Sequence, residues 1–261
     1  MAKGANRGDS ILADLPLFGL FRAEPVPQTT PAPASVRKSF MADSAPPPAV
    51  DPAQAKMEFL LRLRARGIAD VNVLRALETV PRETFAPHRY RDLALRDVAL
   101  PIACGQTMQE PMLVARMIEA LRVEPGDRVL EIGAGSGYAS AILARLASHI
   151  LSVERFHSLA VSARTRLEQL GLTNVTVLHA DGLALPPDMG PFDRILVHCR
   201  LKELPESLLC LLADGGVIVA GQMKEGASQI VRWRHEAAGF VQDVICPARL
   251  QGLIPDVAAI L

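Results

Sequence analysis

Three glycines at alternate positions, Gly133, Gly135 and Gly137, follow the apolar run Val129-Leu130-Glu131-Ile132. Glycine lets a chain turn tightly and lets a ligand approach the backbone without meeting a Cβ. A helix starting after such a loop presents free N–H groups. The spacing is G-x-G-x-G, not the G-x-G-x-x-G of dinucleotide folds. Acidic side chains recur downstream. Glu154 lies 17 residues past Gly137, and Asp181 is followed by Gly182. Glu154 is placed to accept both hydroxyls of a ribose. An acid there also serves a dinucleotide, so Glu154 alone does not discriminate. Asp181 suits the exocyclic amine of adenine. Glu131 can set the loop and attract a positively charged ligand.

These residues sit at the ends of a repeating alternation. Short apolar runs at 128–132, 149–153, 174–178, 192–197 and 216–220 read as buried strands. Helical stretches fit 137–146, 158–170 and 205–212, and residues 229–233 and 241–245 add a terminal pair of strands. Strand–helix alternation predicts an α/β fold, a doubly wound and mostly parallel sheet with helices on both faces. Ligands in such sheets bind at the carboxyl ends of the strands. Upstream, Asp51 caps a helix reaching to Gly67, Asp70 caps a second one ending at Thr79, and Pro111 opens a third that runs to about Leu121.

Composition narrows the function classes. Lys+Arg and Asp+Glu are both 28, so the net charge is zero and no global field draws nucleic acid or an anionic membrane. The four cysteines form no C-x-x-C pair, which fits a reducing cytoplasm better than a disulfide scaffold or a zinc site. No apolar run approaches the roughly 18 residues of a membrane span. Residues 11–21 (ILADLPLFGLF) are apolar but interrupted by Asp14 and Pro16, and read as a weak interaction segment or a short transient helix rather than a signal peptide. Residues 23–55 hold eight prolines, so residues 1–50 are expected to be a disordered tail ahead of one domain at 51–261.

The glycine loop, the acid after the second strand and the acid after the third resemble those of class I S-adenosylmethionine-dependent methyltransferases. The resemblance implies cofactor contacts from Glu131, Gly133, Gly135, Gly137, Glu154, Asp181 and Gly182. A more specific likeness lies upstream. Val80-Pro81-Arg82-Glu83-x-Phe85, then Leu100-Pro101-Ile102, then Gly105-Gln106-Thr107-Met108-Gln109-Glu110-Pro111 precede the glycine loop in order. This combination is similar to the protein-L-isoaspartate O-methyltransferase family, over about residues 57–253. The resemblance implies S-adenosyl-L-methionine as cofactor and isoaspartyl residues of damaged proteins as acceptors, in protein repair.

Two segments depart from that pattern. Gln109 stands where the family has Ser, and Val197-His198-Cys199-Arg200 replaces a run of small residues. The acceptor is a carboxylate, already ionised at neutral pH, so no general base is needed. Catalysis is mainly alignment, worth up to about 7–11 kcal/mol. A hydroxyl orienting the carboxylate supplies only about 1.5–3 kcal/mol. Gln109 is expected to supply that donor through its amide, with Thr107 beside it as the other candidate catalytic residue. Gln106, His198 and Arg200 are the candidate substrate contacts, and no metal is expected. The departures leave open another carboxylate acceptor, or a non-catalytic S-adenosylmethionine-binding protein. A nicotinamide dehydrogenase is disfavoured by the glycine spacing and Asp181.

Overall fold

The computed structural model describes residues 51–258, apart from residues 225 and 238. The expected tail, and the apolar segment at 11–21 within it, lie outside the described residues. Helix α1 (Pro52–Ala65) is capped by the Asp51 carboxylate, which accepts from the Ala53 amide. Helix α2 (Val71–Thr79) is capped by Asp70 in the same way. Such caps are each worth about 1 kcal/mol. A single turn, α3 (Arg82–Phe85), follows. Two short strands, β1 (Leu100–Pro101) and β2 (Thr107–Met108), then pair as a small ribbon not expected from sequence. Helix α4 (Pro111–Leu121) starts on its proline as expected.

The main sheet begins with β3 (Arg128–Ile132), followed by α5 (Tyr138–Leu143), β4 (His149–Glu154), α6 (His157–Gln169) and β5 (Val175–His179). It continues through β6 (Phe192–Leu201), α7 (Glu206–Leu209), β7 (Leu212–Lys224), β8 (Ala227–Glu236) and β9 (Gly239–Pro247). The strand order is β5-β4-β3-β6-β7-β8-β9. The pairs among β3 to β7 are parallel, and β8 and β9 add antiparallel at one edge. The order reverses between β3 and β6, which opens a crevice at their carboxyl ends.

The alternation of side chains along each strand divides the interior into two cores. Val129, Ile150, Leu196, Val219 and Ile230 face a core built with α1 to α6. Leu130, Leu151, Ile195, Ile218 and Val231 face the opposite core. That second layer is thin. The helix expected at 205–212 shrinks to the four residues of α7, because Leu212 instead pairs with Phe192 in the sheet. The helix expected at 137–146 ends at Leu143, and β6 runs on to Leu201 past a register shift between Val197 and Arg200. This extension carries His198, Cys199 and Arg200 on a strand rather than on a loop. Among the described residues no helix is long and apolar enough to cross a membrane.

Candidate active site

The crevice is bounded by five segments: residues 106–110, 132–136, 153–156, 180–182 and 249–254, with His198 and Cys199 at its base. Gly133 and Gly135 adopt φ of +92° and +54°, in the left-handed region that favours glycine. Gly133 and Ala134 both donate their amides to the Val153 carbonyl, which locks the loop onto β4. A Cβ on Gly135 would project between the loop and Ile102. Gly137 has a different task. It turns into α5 at φ +87°, and a Cβ there would come within 3.2 Å of the Ala163 side chain on α6. It therefore packs helix on loop and does not line the crevice. Gly182 lines it, and its lack of a Cβ is required by Ile132, which a Cβ would meet at 2.6 Å.

Glu154 ends β4 with its carboxylate tied into the loop. One oxygen accepts from the Gly135 amide and the other from the Phe156 amide, both at 2.9 Å. Each carboxylate oxygen retains a further lone pair toward the crevice. Asp181 accepts from the Leu183 amide at 2.9 Å through one oxygen and from the Asp256 amide at 2.7 Å through the other. The chain beyond β9 thus returns across the site. Its residue 251 carbonyl accepts from the Arg200 amide, the Leu253 amide donates to the Arg200 carbonyl, and Arg155 Nε donates to the Asp256 carbonyl. Arg200 is engaged through its main chain and does not border the crevice, contrary to its expected substrate contact.

Glu131 is also displaced from its expected role. It is fully buried behind the crevice wall, and reaches the site only through His198, whose Nε2 lies 2.9 Å from Glu131 Oε1. The other oxygen of Glu131 accepts from the Ser140 and Ser152 hydroxyls. A buried carboxylate needs such partners because desolvation otherwise disfavours its charge.

On the acceptor side, Gln106 Nε2 donates to the Cys104 carbonyl at 3.1 Å, and Thr107 is held in β2 opposite Pro101. The Gln109 side chain turns inward. Its Nε2 donates to the His198 carbonyl at 3.0 Å, and its Oε1 lies 3.2 Å from His198 Nδ1. The amide expected to orient an acceptor is spent on His198, because two complementary partners lie within one side-chain length.

Sequence reasoning passed over Arg82, which is 1% exposed. Its Nη2 donates to the Gln109 carbonyl at 2.6 Å and its Nε to the Ala94 carbonyl at 2.8 Å, while its guanidinium lies 4.6 Å from the centroid of the Tyr138 ring. Burial pulls the Arg82 guanidinium below its ordinary value and pushes the Tyr138 phenol up to about 12. Two main-chain acceptors and an aromatic face compensate part of the buried cation, while Arg82 Nη1 and the Tyr138 hydroxyl are buried without a hydrogen-bond partner among the described residues. The sequence signal was an arginine inside an otherwise apolar Val-Pro-Arg segment. Cys199 at the base of the crevice is pushed up to about 11 by burial, with the Glu154 carboxylate adding to the push.

The family model described as protein-L-isoaspartate(D-aspartate) O-methyltransferase matches residues 54–248. A relative from Rhodopseudomonas palustris (strain HaA2), protein-L-isoaspartate O-methyltransferase 2, is 47% identical over 210 residues, 80% of this chain and 97% of its own length. A protein-L-isoaspartate O-methyltransferase from Bradyrhizobium sp. (strain ORS 278) is 46% identical over 213 residues, covering 81% and 98%. A β-aspartate methyltransferase structure from Plasmodium falciparum, solved with S-adenosyl-L-homocysteine, superposes with a TM-score of 0.66 at 23% identity, over 76% of this chain and 97% of that one. That last likeness bears on the fold. A glycine loop locked on β4, two strand-end acids and a loop pinned by Arg82 thus occur in a chain that belongs to the protein-L-isoaspartate O-methyltransferase family.

Proposed function

We propose that the crevice binds S-adenosyl-L-methionine along β3, β4 and β5 and presents it to an isoaspartyl carboxylate entering beside residues 105–111. The observation that carries this reading is that the Glu154 and Asp181 carboxylates and the Gly133–Gly135 loop line one crevice. When bound, the cofactor supplies a methyl group on a positively charged sulfur. Glu154 holds the ribose hydroxyls with its remaining lone pairs, and Asp181 accepts from the adenine amine. Gly133 and Gly135 give the ligand access to the backbone. The crevice lining sets three carboxylates, Glu110, Glu154 and Asp181, against two guanidiniums, Arg155 and Arg249, a balance of one negative charge that favours a cationic ligand.

The acceptor carboxylate needs orientation, not deprotonation. Thr107 and the backbone N–H groups of residues 107–110 are the candidate donors, since Pro111 has no N–H and the Gln106 N–H is given to the Ala103 carbonyl. The partners are proteins and peptides that carry isoaspartyl residues. Four unpaired cysteines support residence in a reducing cytoplasm.

The test is labelled methyl transfer to an isoaspartyl peptide beside its aspartyl twin. Transfer to the first and not to the second is expected. Cofactor binding with no transfer to the isoaspartyl peptide would overturn the proposal.

A further inference from the structure

Gln109 is fixed by three hydrogen bonds, and their chemistry leaves one arrangement. The His198 carbonyl accepts only, so the Gln109 amide nitrogen must face it and the amide oxygen must face the ring. His198 Nδ1 therefore carries its N–H toward Gln109. The opposite ring nitrogen meets Glu131 Oε1 at 2.9 Å, and one proton lies between them. Glu131 is anchored in turn by Ser140 on α5 and Ser152 on β4. The main chain of Gln109 is held separately by Arg82 at 2.6 Å. A continuous set of bonds thus runs from the acceptor loop, through the end of β6, to the buried end of β3.

We infer that Gln109 and His198 work as one latch that fastens residues 105–111 over the end of β6. They are positioning residues. The latch holds Thr107 and the loop amides in place for the acceptor carboxylate, which Gln109 does not itself touch. The inference rests on the reading of the crevice as an isoaspartyl site. It assigns no part in cofactor binding to either residue. A loop left free must be ordered each time an acceptor binds, and that ordering entropy weakens binding.

A double-variant cycle reads the coupling. Gln109→Leu is one atom shorter, keeps a branched side chain of similar bulk and removes both bonds to His198. It should raise the KM for an isoaspartyl peptide about tenfold, with the Kd for S-adenosylhomocysteine unchanged. His198→Ala should raise the KM by a similar factor, and the double variant should be no worse than either alone. A product of the two single losses would overturn the latch, as would an unchanged KM in Gln109→Leu. His198→Asn places an amide N–H where Nδ1–H now lies and should recover most of the lost binding. His198→Gln reaches toward Glu131 instead and should not.

Loss of His198 strands Glu131, so His198→Ala can fail to fold. Nitrogen-15 spectra of wild type and Gln109→Leu then decide. A slowly exchanging Nδ1–H is expected in wild type and not in the variant; the same exchange in both would overturn the latch. These spectra do not depend on turnover. A wild type that binds cofactor but methylates no isoaspartyl peptide would refute the function while leaving the latch to be judged by the ring signal.

Discussion

The Asp256 amide donates to Asp181 Oδ2 at 2.7 Å, so the chain beyond the last strand is fastened to an acid on the crevice wall. Asp256 adopts φ of +67°, a left-handed conformation uncommon for a residue other than glycine. Its carbonyl accepts from Arg155 Nε at 2.9 Å, and the Ala258 amide returns to the Arg155 carbonyl at 3.0 Å. The short segment is thus tied to both the side chain and the main chain of Arg155 in the β4–α6 turn.

Asp256→Pro removes the N–H and demands φ near −65°, which the native backbone does not offer. The dissociation rate of S-adenosylhomocysteine should rise about tenfold, the effect of roughly 1.4 kcal/mol. Asp256→Gly keeps both main-chain bonds and relaxes the backbone, so its rate should stay near wild type. Stopped-flow fluorescence measures both. An unchanged rate in Asp256→Pro would mean that this segment does not hold the ligand in.

Glu154 holds two main-chain N–H groups with one carboxylate on the crevice wall. Glu154→Gln leaves one acceptor oxygen and turns an NH2 against a backbone N–H, either that of Gly135 or that of Phe156. Losing a hydrogen bond to a charged group costs about 1.5–3 kcal/mol. Calorimetry should show the cofactor Kd weakened by roughly tenfold to a hundredfold. The melting temperature should fall as well, because the residue is only 5% exposed. A Kd within twofold of wild type would separate Glu154 from the ligand.

The thiolate is the reactive form of cysteine. With the Cys199 thiol pushed up to about 11, mainly by burial, it stays protonated through neutral pH. Iodoacetamide at pH 8 should modify the exposed Cys210 and spare Cys199. Labelling of Cys199 should rise with each unit of pH toward 11. Peptide mapping by mass spectrometry reads both sites. Equal labelling of the two at pH 8 would contradict the burial argument.

Much of the cofactor half was legible because it depends on local signals. The glycine run, the strand-end acids and the apolar strands are all written in short windows of sequence. The acceptor half depends on what meets across the fold. Gln109 and His198 are far apart in the chain, and no spacing rule brings them together. Glu131 looked like a ligand contact because it borders the glycine loop in sequence. The strand's alternation in fact turns it inward, toward Ser140 and Ser152. Arg200 looked like a donor because it follows a strand. The strand continues, and the returning chain takes its main-chain groups. Arg82 was visible only as part of a family motif, since its partners are carbonyls that carry no sequence signature.

Gly182 separates two readings of a glycine beside an acid. One is that the ligand needs the space, and the other is that the protein does. A Cβ at 182 would lie 2.6 Å from Ile132 Cγ2 and 3.0 Å from Cγ1, both on the branched carbon of a strand residue with little freedom. Gly182→Ala should therefore lower stability by about 1–3 kcal/mol, the usual cost of overpacking. The fall should appear in urea unfolding of the ligand-free protein. Ile132→Ala removes every clashing atom, so the double variant should lose less than the sum of the two single changes. If Gly182→Ala instead leaves stability intact and weakens only cofactor affinity, the glycine serves the ligand and the Ile132 contact is incidental.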